Sequence, residues 1–216
     1  MTLTISTYVL GPLENNTYLL SDSTSSEAVI IDPALGSEAI LEDIQRSHLK
    51  ITAIWVTHAH FDHISGINAL AKAIHPLETI GLHPDDLSLW REGGGARYFG
   101  INLRPDVEPT VYFSHGQQLT LGKHFIEVRH TPGHTRGHVV FYAKELATVL
   151  CGDLIFHRSI GRTDLPGGDM SALLNSIRTQ ILTLPPQTRL LSGHGPETSV
   201  GEEKTQNPYL YNLSEK

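Results

Sequence analysis

The chain has 216 residues, 39% of them hydrophobic and 18% charged, with a formal net charge of −7. That length and balance describe a globular protein able to bury one good-sized core, and no low-complexity tract argues for disorder. The acidic balance speaks against a nucleic-acid groove, which needs clustered Lys and Arg, and no apolar run approaches the length of a membrane span.

The first ten residues lack a basic region followed by a long apolar core, and Cys151 is the single cysteine. Neither a secretory signal nor an internal disulfide is expected, which makes the cytoplasm the default compartment. Residues 2–9 and 17–21 read as strands joined by a Gly-, Pro- and Asn-bearing turn over 11–16, and 28–31 as a third strand. Asp32-Pro33 ends it, and Ser37 is placed to cap a helix with Ile40, Leu41 and Ile44 on its apolar stripe. The apolar run 51–56 predicts a buried strand. Directly behind it, His58, His60, Asp62 and His63 set four potential metal ligands within six residues. A spacing of two sends the imidazoles of His58 and His60 off the same face of an extended segment. Asp62 is placed to cap a following helix whose stripe is Ile67, Leu70, Ala71 and Ile74. A lone histidine is more often a satisfied polar residue than a ligand. A dense cluster of the side chains that divalent metals select has few other physical uses.

Residues 79–82 read as a strand and 84–90 as a helical turn or two. Residues 92–109 carry Gly93 to Gly95, then Arg97, Tyr98 and Phe99, without a sustained period. So long a loop suits a lid or binding loop, which makes Tyr98 and Phe99 substrate-pocket candidates. Strands return at 118–121, 125–129, 139–142 and 148–150, with Gly122-Lys123 and Lys144-Glu145 as bends. Asp169 caps a helix with Leu173, Leu174, Ile177 and Ile181 inside, closed by Pro185-Pro186, and 189–191 is the last strand. Two batches of strands, each followed by helices and with no linker between, predict an α/β chain: two packed sheets with helices outside, in one domain over 1–216.

If the cluster binds metal it needs partners from elsewhere. His134 in Thr131-Pro132-Gly133-His134, Asp153 after Leu150-Cys151-Gly152, and His194 between Gly193 and Gly195 each follow a strand or sit at a turn. This pattern, His58-x-His60-x-Asp62-His63 with His134, Asp153 and His194 downstream, resembles the metallo-β-lactamase superfamily over residues 58–194. The resemblance implies an αββα four-layer sandwich with the site at one edge of the two sheets. By position it implies that His58, His60 and His134 hold one metal, that Asp62, His63 and His194 hold a second, and that Asp153 bridges them. Residues 11–18, 159–168 and 204–210 resemble glyoxalase II-type hydrolases (hydroxyacylglutathione hydrolases) of the short bacterial kind. Asp153 stands where many β-lactamases of the superfamily place a cysteine, which points away from antibiotics. Full-length glyoxalase II enzymes continue into a helical segment that contacts glutathione. This chain stops at Lys216, and no separate domain of that kind is expected.

The chemistry implied by the resemblance is hydrolysis of a small-molecule thioester, glutathione-derived, such as S-lactoylglutathione. Two divalent ions about 3.5 to 4 Å apart share a water whose pKa falls to about 7, giving a metal-bridging hydroxide that attacks the carbonyl, with Asp62 placed to orient it. Zinc (Zn2+) is the first expectation, and iron or manganese also suit His and carboxylate ligands. Arg162 is read chiefly as the partner of Asp164, holding the Gly-rich loop, and secondarily as a substrate contact. His138 and His157 are read as supports of the ligands, and His48, His75, His83, His115, His124 and His130 as surface or core. The alternative is a persulfide dioxygenase of the same superfamily, with one iron on His58, His134 and Asp153. No residue pattern specifies an oligomeric state.

Overall fold

In the computed structural model, which describes residues 3–75, 77 and 79–211, two six-stranded sheets pack face to face beneath outer helices. The first sheet takes β1 (Leu3–Leu10), β2 (Asn15–Asp22), β3 (Glu27–Ile31), β4 (Lys50–Trp55), β5 (Thr79–Leu82) and β6 (Val111–Tyr112) in that spatial order. Its helices are α1 (Ile40–Arg46), α2 (Phe61–Ile64), α3 (Ile67–Ala73) and α4 (Leu87–Arg91). The second half supplies β7 (Gln118–Leu121), β8 (His124–His130), β9 (Val139–Ala143) and β10 (Thr148–Gly152), then a small hairpin of β11 (Ile155–Phe156) and β12 (Ser159–Ile160). After α5 (Met170–Ser176) come β13 (Arg189–Ser192), β14 (Thr198–Ser199) and α6 (Val200–Gln206). The second sheet is ordered β14-β13-β10-β9-β8-β7. The result is the expected αββα sandwich.

β9 is apolar without a break, and β3 is so beyond Glu27, because both faces of these strands are covered. In β3, Val29 and Ile31 enter the core between the sheets, whereas Ala28 and Ile30 pack under the helices of the first half. In β9, Val139, Phe141 and Ala143 face inward, and Val140 and Tyr142 face the helices of the second half. Phe141 is fully buried where the sheets meet, with ring centroids 5.5 Å from Trp55 and 5.4 Å from Phe113. Phe141→Ala is therefore expected to lower unfolding stability by about 3 to 5 kcal/mol, read as an earlier urea midpoint at unchanged slope.

Several local expectations need correction. Ser37 does not cap a helix through its side chain: its hydroxyl donates to Ala34 O at 2.7 Å, and Gly36 occupies the cap of the short turn ahead of α1. Asp62 is not a cap either. α2 starts at Phe61, so Asp62 lies inside it, and the helix breaks at Ser65-Gly66 before α3 begins. Gly66 lies at a close approach between segments: its N–H donates to Pro33 O at 2.8 Å, and a side chain there would collide with Ala34 O and Ser37. The first turn closes at Glu14 rather than Asn16, and the strand at 189–191 is not the last. The strands β6, β11, β12 and β14 are two residues long, too short to carry a periodic signal, and α6 went unread. Thr2, the start of the first expected strand, lies outside the described residues.

Candidate metal centre

Strand direction gathers the site. β3, β4 and β5 run parallel, as do β8, β10 and β13, so the C-terminal ends of each set open along one edge. Backbone bonds join the sheets there: Val139 N–H donates to Thr57 O at 2.8 Å and Asn16 N–H to Gly193 O at 2.7 Å. His58 and His60 follow β4, His134 follows β8, Asp153 follows β10, and His194 follows β13, while Asp62 and His63 ride on α2. All seven residues expected from the pattern meet at this edge.

They form two triads. The ligand atoms of His58, His60 and His134 lie within 4.8 Å of one another, and so do those of Asp62, His63 and His194. Asp153 reaches both. Its Oδ1 stands 3.3 Å from His63 Nε2, and its Oδ2 stands 3.6 Å from His134 Nε2 and 3.7 Å from His194 Nε2. Asp62 Oδ2 lies 3.2 Å from His194 Nε2 and accepts from Asn15 Nδ2 at 3.0 Å. His58 Nε2, His63 Nε2 and Asp153 Oδ1 are buried without a hydrogen-bond partner. An orphaned buried polar atom costs about 1 to 3 kcal/mol, and here three of them converge on one place. Divalent cations would satisfy them, so the donor set fits two ions. Gly193 makes room: a Cβ there would collide with Asp153 Oδ1 and press on His63.

Four imidazoles are turned by a bond at Nδ1 that leaves Nε2 facing inward. His58 Nδ1 meets Thr57 Oγ1 at 3.0 Å, His63 Nδ1 meets Asp32 Oδ2 at 3.0 Å, His134 Nδ1 donates to Arg162 O at 2.8 Å, and His194 Nδ1 donates to Leu13 O at 2.9 Å. His60 differs, with Nδ1 2.8 Å from His134 Nε2. His138 serves as expected, since its Nε2 accepts from Asp153 N–H at 3.2 Å, whereas His157 is exposed. His83 and His130 stack on each other with centroids 4.0 Å apart.

Electrostatics divides the cluster. Burial, reinforced by His63, holds His58 well below the usual imidazole range, and burial beside His134 takes His60 down to about 3. Both are neutral with lone pairs to offer. Burial would also lower His63, but the Asp153 and Asp62 carboxylates raise it well above the ordinary value. Burial would raise those two carboxyls, and the imidazole of His63 beside them instead keeps both well below the carboxylate range.

Sequence reasoning missed Asp32, Asn15 and Asp86. Asp32 was read only as the end of a strand. It accepts from Thr57 N–H at 2.7 Å, from Thr57 Oγ1 at 2.6 Å and from His63. The one local signal is an Asp-Pro step at a strand end shortly before the cluster. Asp32→Asn keeps the volume but loses one acceptor, and metal affinity measured by chelator competition is expected to drop about 10- to 100-fold.

Tyr98 and Phe99 lie on a short 3₁₀ turn, Ala96–Phe99, and line a cavity of about 480 Å³ that opens over the ligands. Arg162 lines it too, with its guanidinium bound to Asp164 through two bonds of 2.7 Å.

Comparison with known proteins agrees with this geometry. A family model described as the metallo-beta-lactamase superfamily matches residues 10–194. The hydroxyacylglutathione hydrolase GloC of Haemophilus influenzae is 34% identical over 203 residues, covering 93% of this chain and 95% of that protein. The crystal structure of the B3 metallo-beta-lactamase BLEG-1 is similar with a TM-score of 0.89 at 37% identity, covering 96% of this chain and all of that one. That of TTHA1623 in a di-iron-bound form gives a TM-score of 0.86 at 41% identity, covering 95% of this chain and all of the other. The matched span contains all seven gathered residues, and the similarity extends over nearly whole chains on both sides: the protein belongs to the metallo-beta-lactamase superfamily of metallo-hydrolases.

Proposed function

We propose that the chain hydrolyses glutathione thioesters such as S-lactoylglutathione, using two divalent ions. The observation that carries this reading is Asp153, whose Oδ2 lies between His134 of one triad and His194 of the other while its Oδ1 faces His63. His58, His60 and His134 would hold one ion, Asp62, His63 and His194 the other, and Asp153 both. Ions bound there would supply an acidified water, with a pKa of about 7, and positive charge for the oxyanion of the tetrahedral intermediate.

The chain's own groups account for the rest. Asp62, steadied by Asn15, is the carboxylate placed to accept a hydrogen bond from the attacking water and aim it. The bonds at Nδ1 fix the ligand rings before substrate arrives. A thiolate departs readily, so no strong acid is required on that side. The likeness to GloC supports the thioester, and zinc is the first metal to test, with iron next because TTHA1623 has a di-iron-bound form. The one-iron dioxygenase alternative uses His58, His134 and Asp153 and leaves Asp62, His63 and His194 without a task. No helix among the described residues is long and apolar enough to cross a membrane, and a glutathione substrate fits the cytoplasm. The test is loss of S-lactoylglutathione with metal content measured on the same sample. Turnover at about two metals per chain is expected. Intact thioester, with oxygen uptake on glutathione persulfide at one iron per chain, would overturn the reading.

A further inference from the structure

The cavity over the ligands has a wall that is mostly apolar, including Leu13, Phe61, Tyr98, Phe99, Phe156 and Leu165. Outside the ligand set, two charged side chains among the described residues line it, Glu92 and Arg162, and both are already engaged. Glu92 takes Arg97 at 3.3 Å and the Ser88 hydroxyl at 3.2 Å, and Arg162 takes Asp164. Tyr98 and Phe99 are nevertheless 59% and 52% exposed, and the Phe99 ring lies 5.1 Å from that of Phe61 beside the ligands. Exposed aromatic surface gathered at the mouth of one cavity marks a place where an apolar ligand gains by entering.

A thioester sends two limbs away from the reacting carbonyl. The glutathione limb carries two carboxylates and an ammonium, which lose water in this cavity without finding free partners. An apolar acyl limb carries no such penalty, and each buried methylene is worth about fourfold in affinity. We propose that the cavity is the acyl site, and that the chain prefers glutathione thioesters of medium-length or aromatic carboxylic acids to the lactoyl thioester. The glutathione limb then stays at the solvent rim. This inference rests on the thioester reading above. The reaction balances as one water per thioester: the carbonyl C–S bond breaks, a C–O bond forms, and the products are the carboxylic acid and the free thiol.

The test compares kcat/KM of the metal-loaded protein on the lactoyl, butanoyl, hexanoyl, octanoyl and phenylacetyl thioesters of glutathione. The linear series should climb about fourfold per methylene, with octanoyl at least about tenfold above lactoyl. Phe99→Ser and Leu165→Ser should flatten the climb, their folding checked by circular dichroism. A flat or falling series with lactoyl turned over best would overturn the acyl site and leave the thioester reading standing. If no thioester is cleaved, that reading falls, and calorimetric titration with octanoate against lactate decides the cavity. Octanoate bound at least about tenfold tighter, with the difference lost in Phe99→Ser, would uphold an apolar site, and equal affinities would overturn it.

Discussion

Asp153→Ala is expected to lower thioester turnover at least about a thousandfold and to take the metal content from about two ions per chain to one or fewer. The reason is position. Asp153 is 8% exposed, its backbone N–H is pinned to His138, and its carboxylate faces His63 through Oδ1 and both His134 and His194 through Oδ2. Two dications bound there would bring four positive charges among largely buried side chains, and Asp62 and Asp153 are the carboxylates that would face them. Removing one leaves close like charges poorly compensated where screening by water is weak. The loss should therefore appear first in affinity for the second ion and only then in turnover. Elemental analysis of the purified variant, beside its kcat/KM and circular dichroism, separates this from misfolding. Two retained metals with turnover within tenfold of the parent would refute a bridging role for Asp153.

The seven gathered residues are legible as a set: His134, Asp153 and His194 are each weak alone, and it is their order behind the dense His58–His63 cluster that matches the superfamily pattern. His58 and His60 follow a continuous apolar strand, His134 sits behind Pro132-Gly133, and His194 lies between two glycines. The layers were legible for a separate reason: β3 beyond Glu27 and β9, covered on both faces, read as unbroken apolar runs. What stayed hidden depends on contacts between distant segments. Asp32 lies 31 residues before His63, whose ring it orients, and nothing in its own neighbourhood reveals that task. Asp62 looked like a cap because an aspartate ahead of an apolar stripe usually is one. The site overrides that preference, since its carboxylate is turned toward His194 and Asn15 instead. Arg162 was read correctly as the partner of Asp164, yet the bond from His134 reaches its backbone carbonyl, a group that carries no sequence signal.

Asp86→Asn is expected to reduce unfolding stability by about 3 kcal/mol and metal affinity by about 10- to 100-fold, although Asp86 is no ligand. Asp86 is 1% exposed and ties together the two loops that carry the first triad. Its Oδ2 accepts from Ala59 N–H at 3.0 Å, between His58 and His60, and from Thr135 Oγ1 at 2.7 Å, next to His134. Its Oδ1 accepts from Gly137 N–H at 2.7 Å on the same second loop. Burial pushes the pKa of Asp86 up against these donors, so the site tolerates a carboxylate because every nearby donor points at it. An asparagine of the same shape must turn its NH₂ either toward Gly137 or toward Ala59 and Thr135, and in both orientations buried donors face a donor. A substitution that costs about 3 kcal/mol should lower the melting temperature by roughly 6 to 12 °C in a chain of this size. The two readouts divide the contribution. A lower melting temperature with unchanged metal affinity would mean that Asp86 serves the fold alone, whereas loss of affinity measured well below the transition would show that spacing between the two loops sets the ligand geometry. Asp86→Ala, which leaves the same donors facing an empty space, should lose at least as much stability, and a variant more stable than the parent would refute the account.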